Sequence, residues 1–259
     1  WKLAYTTREQ IDYPYLTFTS TVCSETSWGL AGAYDAYRMI GSALYDKIGQ
    51  GDWRRYSWID PDAAGTHEGY EKYKSIKIDG KKEQLTLLDE EAWKRLPAYA
   101  NIKFRPSKGN ITDLYEGQYV SLPLMRVEEM MFIDMECTAH LDGVAAGVAA
   151  LKSFVNTYRY TDNSYQPNAS TMEEFINEMM VQKRIEFWGE GITYFDYKRL
   201  ALQIRRKDNT NYEPSARINS KPGYVCPWMN FFILEYETHN NVACKPNPDT
   251  SGSLTVTNQ

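Results

Sequence analysis

The sequence predicts a mainly α protein, in which helices form the scaffold and irregular loops and one small β-hairpin connect them. Apolar residues recur at three- and four-residue steps between residues 124 and 203, which is the period of helices with one buried face. Strand-like alternation is confined to a short stretch near residues 74–88. With 259 residues and 42% hydrophobic content, the chain can bury a sizeable core, and one large domain or two small ones would both be ordinary.

Composition argues against several classes of function. The net charge is −5 and the basic residues look dispersed, so we do not expect nucleic acid as a partner, because phosphate neutralisation requires a cationic stripe. No run approaches the ~20 apolar residues that span a bilayer. The N-terminus has no cationic segment followed by an apolar one, so no signal peptide is predicted. Any membrane attachment is expected to lie outside this chain.

The cysteines and histidines do not predict a metal site. The four cysteines share no CxxC spacing and lie near no pair of histidines, which argues against zinc. These cysteines are Cys23, Cys137, Cys226 and Cys244. We interpret them as free core thiols and leave a Cys226–Cys244 disulfide open. The three widely separated histidines are His67, His140 and His239. Asp60, Asp62 and nearby carbonyls could hold calcium, although their spacing is not diagnostic. The sequence predicts no cofactor.

The first part of the chain is predicted to hold one helix and one hairpin between loops. Thr26–Ile48 has helical periodicity, weakened by Gly29, Gly32 and Gly41, and a loop up to about Trp28 stays open as an alternative for its first turn. Gly49–Gly65 reads as an irregular stretch with glycine and proline breakers. Lys74–Leu88 fits a small β-hairpin that turns at Asp79-Gly80. A short extended piece is expected at Ile102–Phe104, followed by a loop.

A helical hairpin is predicted next. Its first helix starts at Pro123, which suits a first turn because its missing N–H would be unpaired there. The apolar faces of that helix carry Leu124, Val127, Met130, Met131, Ile133, Met135, Cys137 and Leu141. Asp142 is predicted to cap a second helix, Val144–Arg159, whose small residues allow close approach of a partner. The hairpin has about the length of one tetratricopeptide-type repeat. Since a solenoid needs about three repeats, we expect a helical partner outside the chain.

Two further helices and a loop-rich end complete the prediction. Ser170 and Glu173 form a capping-box pattern that starts one helix, and Gly189 and Gly191 end it. Tyr194–Gln203 is expected to be the next helix. Five prolines punctuate the remainder: Pro214, Pro222, Pro227, Pro246 and Pro248.

The segment Lys183–Arg199, KRIEFWGEGITYFDYKR, joins two of these helices through an acidic, glycine-bounded turn. Its charges fall at Arg184, Glu186, Glu190, Asp196, Lys198 and Arg199. Their spacing predicts that they pair with one another and fix the turn. A glycosidase pair formed by Glu186 and Glu190 stays open as an alternative.

This segment resembles the "R-x-E-[LF]-x-x-E-G-x-R-[YF]-x-D-[LY]-x-R" block of SusD/RagB-type proteins, which capture glycans or peptides at bacterial outer membranes. Asp52-Trp53-Arg54 is similar to the family's "D-x-R" element, and Asn156 and Arg159 match its "L-N-x-[VIL]-R" ending. The resemblance implies a SusD-like, tetratricopeptide-like scaffold, of which this chain would be the C-terminal part. Residues 1–122 would be the loop-rich recognition part and 123–259 the helical part.

The resemblance also implies a function without chemistry. It implies carbohydrate binding at the extracellular face of the outer membrane and delivery to a TonB-dependent transporter of the SusC type. The implied partners are thus the glycan, that transporter and a missing N-terminal half, with a lipid anchor on an N-terminal cysteine outside this chain. A peptide-capturing member of the family and a plain helical scaffolding protein stay open as alternatives.

Aromatic residues in loops are the candidate ligand contacts, because sugars stack their C–H faces on indole and phenol rings. The loop GDWRRYSWID supplies the first set, Trp53, Tyr56 and Trp58 with Arg54 and Arg55. Trp28 and Tyr34, which lie on or just before the predicted helix rather than in a loop, form the second set.

Overall fold

A computed structural model gives the fold, which is mainly helical, as predicted. The described residues are 2–4, 18, 22, 37–78, 81–82, 90–105, 120–206, 210–226, 229–230, 233–247 and 254–256. The chain forms two compact units. Unit 1 comprises Trp1–Ile40 and Leu44–Glu186, and unit 2 comprises Gly41–Ala43 and Phe187–Gln259. The long helices predicted after residue 122 therefore belong to unit 1 as far as Glu186, whereas the assignment of recognition to 1–122 stays a prediction.

The elements up to Glu186 are short at first and long later. In chain order they are β1 (Lys2–Leu3), α1 (Ser42–Tyr45), a 3₁₀ helix (Trp53–Ser57), α2 (His67–Lys74), β2 (Lys77–Ile78), β3 (Lys81–Lys82), α3 (Glu90–Trp93), β4 (Leu122–Pro123), α4 (Val127–Leu141), α5 (Val144–Tyr158) and α6 (Met172–Glu186). Strand β1 pairs antiparallel with β4, and β2 with β3. The predicted hairpin is confirmed by this second pair, and its turn residues lie outside the described residues.

The predicted helix at 26–48 is largely wrong where the structure describes it. Only Ser42–Tyr45 is helical within residues 37–48, and residues 26–36 lie outside the described residues. Met39 forms a bridge with Ala100, and Ile40 N–H donates to the Tyr99 carbonyl at 3.1 Å. Backbone groups that a helix would have used are thus bonded to a distant segment, which sequence periodicity does not report.

Near this segment one helix was missed and one other local prediction fails. Helix α2 was not predicted; Thr66 caps it, its hydroxyl accepting from Gly69 N–H at 3.0 Å. The expected strand at Ile102–Phe104 does not form, although Ile102 N–H donates to the Ser57 carbonyl at 2.9 Å. These elements surround a core of Ile59, Ala63, Tyr73, Ile76, Trp93, Leu96, Ala100 and Ile102.

The junctions of the helical hairpin differ from the prediction. Pro123 lies in β4 opposite Lys2, and α4 begins four residues later. Asp142 closes α4, its N–H donating to the Thr138 carbonyl at 2.8 Å, and Gly143 caps α5 with φ 101°. A positive φ of this kind favours glycine, so Gly143 rather than Asp142 is the N-cap of α5. Close approach is confirmed at Gly147, where a Cβ would overlap Ala139.

Helix α4 carries apolar side chains on two opposite faces. Phe132, Met135 and Ala139 are buried. Most of the residues predicted to be its apolar face are instead exposed: Leu124 60%, Val127 63%, Met130 44%, Ile133 50% and Leu141 84%. Residues three and four apart share a helix face, so Val127, Met130, Asp134, Cys137 and Leu141 lie on one exposed face. Its four apolar members, Val127, Met130, Cys137 and Leu141, are named the outer stripe below. Partners α5 and α6 pack against the other side.

Helix α6 is capped one residue later than predicted. The Thr171 hydroxyl accepts from Glu174 N–H at 3.2 Å, and the Glu174 carboxylate accepts from the N–H groups of Ser170 and Thr171 at 2.8 and 3.0 Å. These hydrogen bonds, first the one from the Ser170 backbone, lower the pKa of Glu174 to about 2. The capping box is thus formed by Thr171 and Glu174 rather than by Ser170 and Glu173.

We expect Thr171→Ala to lower the free energy of unfolding by about 1 kcal/mol, because one N-terminal N–H of α6 loses its acceptor. Urea denaturation measures the loss. Thr157→Ala is the matched control, since Thr157 is exposed near the end of α5, and its effect should stay within about 0.5 kcal/mol. Equal losses in both variants would contradict the capping role.

Unit 2 has shorter elements: α7 (Thr193–Arg199), a 3₁₀ helix (Pro214–Ala216), β5 (Ile218–Ser220), α8 (Glu235–Asn240) and β6 (Leu254–Val256). Strand β5 pairs antiparallel with β6. Helix α7 is shorter than the predicted 194–203 because Ala201 adopts φ 47° and Leu202 N–H donates to the Tyr197 carbonyl. Among the described residues, no helix is long and apolar enough to span a membrane.

The described cysteines are unpaired. Cys137, Cys226 and Cys244 are free thiols, so the open Cys226–Cys244 disulfide does not form. Cys226 is buried as predicted, whereas Cys137 is exposed on α4. Cys23 lies outside the described residues.

Candidate ligand-binding surface

The GDWRRYSWID loop is fixed by a buried ion pair within it. Asp52 and Arg54 are 1% and 4% exposed. The Asp52 carboxylate accepts from the Arg54 backbone N–H at 3.0 Å and from Arg54 Nη2 at 2.7 Å. Asp52 thereby caps the 3₁₀ helix Trp53–Ser57 and holds the guanidinium against it. Arg54 reaches inward from this pair to α6, where its Nη2 donates to Gln182 at 2.6 Å and its Nη1 to Glu186 at 3.1 Å.

Glu186 is the centre of this buried network. Its carboxylate accepts from Arg159 Nε at 2.8 Å and Nη2 at 2.9 Å, and from Arg126 Nη1 at 3.0 Å, in addition to Arg54. Arg126 and Arg159 also pair with Glu128, each at 3.0 Å. Three arginines thus face three carboxylates from the loop, α4 and α6, so the buried charges are balanced. We call these six residues and Gln182 the arginine–carboxylate network.

The electrostatics of the network keep Glu186 ionised. Burial raises its pKa, but the hydrogen bond from Arg159 and the charges of Arg54, Arg159 and Arg126 lower it more, to about 2. A glycosidase acid requires the opposite shift, so this carboxyl group is unsuited to proton donation. The prediction that the charges of Lys183–Arg199 pair with one another is wrong for Glu186 and right for Asp196, which binds Arg199 at 2.8 Å.

Trp53 is the aromatic residue of this loop that is held by hydrogen bonds and is also partly exposed. Its indole N–H donates to the Tyr158 carbonyl at 2.9 Å, and its backbone N–H donates to the Arg159 carbonyl at 3.0 Å. The Arg159 guanidinium lies 5.5 Å from the centre of the indole ring, within cation–π range. Tyr158, 51% exposed, is the neighbour that sequence reasoning missed. No local pattern indicates it, because 105 residues separate it from Trp53.

The other predicted contacts from this loop mostly serve the scaffold. Trp58 is completely buried and, like Arg54, offers no surface to a ligand, so both predictions are corrected. Tyr56 is half-buried and packs edge-to-face on Tyr73, with ring centres 5.6 Å apart. Arg55 donates to Asp60 at 3.2 Å and lies 4.2 Å from the centre of the Tyr45 ring. Trp28 and Tyr34 lie outside the described residues.

The described residues do not assemble a metal site. Asp60, suggested for calcium with Asp62, accepts from Arg55 and from the Tyr45 hydroxyl at 2.9 Å, and its other oxygen accepts from Asp62 N–H at 3.0 Å. Within the ranges that the structure describes, no group of three or more His, Cys, Asp or Glu side chains could hold a metal ion.

Ion pairs of the arginine–carboxylate network connect the GDWRRYSWID loop to the three long helices α4, α5 and α6. The model of the SusD family (SusD/RagB) matches residues 11–232, and the chain belongs to this family. Searches of curated proteins and of solved structures found no match. Proteins of the family are in general nutrient-binding, non-catalytic lipoproteins of the outer-membrane surface.

Proposed function

We propose that this protein binds oligo- or polysaccharide at the extracellular face of the outer membrane and delivers it to a TonB-dependent transporter of the SusC type. Family membership over residues 11–232 is the observation that carries the proposal. A lipid anchor on an N-terminal cysteine outside this chain would hold the protein at the membrane. No chemistry is proposed: Glu186, one half of the carboxylate pair that the sequence suggested, is buried and accepts hydrogen bonds from three arginines, which keeps it from a substrate.

Trp53 is proposed as the main sugar platform in the described part of the chain. Anchoring of the indole N–H and backbone limits the rotamer freedom that binding would otherwise remove, and the residue stays partly exposed, with the Arg159 guanidinium 5.5 Å from the ring centre. Tyr158 is added as its neighbour, with Tyr56 and Arg55 at the margin. Trp28 and Tyr34 stay proposed contacts.

A further helical segment, the N-terminal half implied by the family resemblance, is the proposed cover of the outer stripe of α4. The support is the exposure of that stripe, with Val127 and Leu141 63% and 84% exposed. An apolar stripe on the second face of a helix is typical of a helix buried between two neighbours.

The binding test uses Trp53→Ala against a panel of plant, mucosal and fungal polysaccharides. We expect one glycan class to bind the parent chain and the variant to bind it at least about tenfold more weakly, a change of about 1.4 kcal/mol. Calorimetry or affinity electrophoresis measures it. Trp53→Phe, which keeps an aromatic face, is the matched control and should retain part of the affinity.

The results of this test distinguish carbohydrate binding at Trp53 from peptide capture and from hydrolysis. Unchanged binding by Trp53→Ala would move the platform away from this loop. Failure of every polysaccharide, with saturable binding of peptides from a protein hydrolysate, would replace the carbohydrate proposal by peptide capture. Release of reducing sugar would establish hydrolysis against the proposal.

A further inference from the structure

Unit 2 contains a concentration of positive charge that the overall composition hides. Between Lys198 and Lys221 the sequence has seven lysine and arginine residues and two acidic residues, in a chain of net charge −5. The basic residues, which looked dispersed along the whole chain, are therefore clustered in this segment. Lys198, Arg199, Arg205 and Lys221 are exposed.

Strand pairing brings part of this charge to one surface. Arg205 forms an antiparallel bridge with Asn219 of β5, flanked by hydrogen bonds from Arg206 N–H to the Ile218 carbonyl and from Ser220 N–H to the Ile204 carbonyl. Side chains alternate between the faces of a strand, and directly opposed residues share a face. Positions 203, 205, 217, 219 and 221 therefore share one face. We call it the basic face.

Hydrogen bonds agree with this assignment. Arg205 Nε donates to the side-chain oxygen of Gln203 at 2.7 Å, as expected for residues two apart on one face. Ser220, on the opposite face, is 1% exposed. The basic face carries Gln203, Arg205, Arg217, Asn219 and Lys221, a set with three cations, two amides and no acid. Arg205 and Lys221 are exposed, and the other three are partly buried.

Two of the cations are available to a ligand. Within the part of the chain that the structure describes, neither Arg205 nor Lys221 has a carboxylate within 4.0 Å. Nε is the only side-chain atom of Arg205 that hydrogen-bonds to described residues, so both Nη groups keep the planar geometry that binds a carboxylate or sulfate bidentately. Arg217 is held by its Nε bond to the Tyr212 carbonyl at 2.8 Å.

We propose that the basic face binds an anionic polysaccharide, one that carries uronate carboxylates or sulfate esters. Cations spaced along paired strands suit a repeating polyanion. The two side-chain amides of this face are bonded within the protein: Gln203 donates to the Ser220 carbonyl at 2.7 Å, and the Asn219 side-chain oxygen accepts from Arg206 N–H at 3.1 Å. That the polyanion is a carbohydrate rests on the proposed function; the position of the site and its preference for negative charge do not.

Paired polymers test the charge preference on the full chain. Polygalacturonate and its fully methyl-esterified form share a backbone and differ in carboxylate charge; dextran sulfate and dextran differ in sulfate. We expect the anionic member of at least one pair to bind about tenfold more tightly, with an affinity that falls as salt is added. A preference within the galacturonate pair indicates recognition of carboxylates, and a preference within the dextran pair indicates recognition of sulfate esters.

Charge-matched variants test the position. Arg205→Gln with Lys221→Gln should weaken binding of the responding polymer about three- to tenfold, since exposed ion pairs contribute modestly. The control, Lys47→Gln with Arg95→Gln, removes the same two charges from exposed positions of unit 1 and should change affinity less than about twofold.

Each outcome decides between the two proposals. Equal losses in both double variants would mean a response to net charge and overturn the inference, as would no loss in Arg205→Gln with Lys221→Gln. Tight binding of neutral polymers only would overturn the inference and leave the proposed function intact. A single-stranded oligonucleotide that binds as tightly at the same residues would overturn the assignment to glycans. Binding of none of these four polymers would overturn the inference, whereas only the failure of the whole polysaccharide panel would overturn the proposed function.

Discussion

Glu186→Gln should lower the free energy of unfolding by about 3–5 kcal/mol, the cost of removing one partner from a buried ion pair. Glu186 is 6% exposed and receives hydrogen bonds from Arg54, Arg126 and Arg159. A glutamine keeps one acceptor oxygen, but its amide hydrogens meet guanidinium groups that are themselves donors. The variant thus leaves an uncompensated positive charge between the loop, α4 and α6.

Glu173→Gln is the matched control for this substitution. Glu173 lies on the same helix and is exposed, so its change should stay within about 0.5 kcal/mol. Urea denaturation with a common m-value gives both numbers. Similar small effects from the two variants would show that the arginine–carboxylate network contributes little to stability.

The stability of the parent chain and that of Glu186→Gln should depend differently on pH, because the pKa of Glu186 differs between the folded and unfolded states. The pKa of Glu186 in the folded protein is about 2, against an ordinary value of 4.5. A depressed pKa gives a stabilisation that is complete above the unfolded value and is lost as pH falls towards the folded one. A shift of that size corresponds to about 3 kcal/mol. Stability of the parent chain should therefore fall more steeply than that of Glu186→Gln between pH 4.5 and 2.

The sequence predicted the helices better than the contacts between them. Helices α5 and α6 lie where periodicity placed them, because each buries one apolar face along its length. The predicted helix at 26–48 failed because Met39 and Ile40 pair with residues near 100, and no local pattern records such a partner. The boundaries shifted at Pro123 and Asp142 for the same kind of reason, a strand partner and a glycine with positive φ.

At the candidate surface, too, the sequence indicated which residues matter better than it indicated their partners. Sequence patterns identified Arg159 as part of the scaffold and Glu186 as part of a charged turn, yet assigned Arg54 to ligand contact and Glu186 to neighbours within its own segment. Trp58 and Trp53 look alike in the sequence, five residues apart in one loop. The 3₁₀ helix Trp53–Ser57 separates them, so that Trp58 enters the core and forms a bridge with Asn101, while Trp53 stays at the surface. Burial of this kind depends on tertiary packing, not on composition.

Phe132→Ala and Ile133→Ala, at neighbouring positions of α4, should differ by several kcal/mol. Phe132 is completely buried and packs edge-to-face on Phe154, with ring centres 5.3 Å apart. Its truncation removes a large apolar group and leaves a cavity, which costs about 3–5 kcal/mol. Ile133 is 50% exposed, so its truncation should cost less than about 1 kcal/mol. Urea denaturation at two protein concentrations measures both.

Comparing the two protein concentrations shows whether a second copy of the chain covers the exposed side of α4. If the chain unfolds as a monomer, the small effect of Ile133→Ala is the same at both concentrations, because the side chain is half in water in the folded state. If the effect of Ile133→Ala approaches that of Phe132→Ala and the parent chain becomes more stable with concentration, the exposed side is buried against a second copy, as mass action requires. That result would contradict the exposure of Ile133 and the proposal that a segment outside this chain covers the outer stripe beside it.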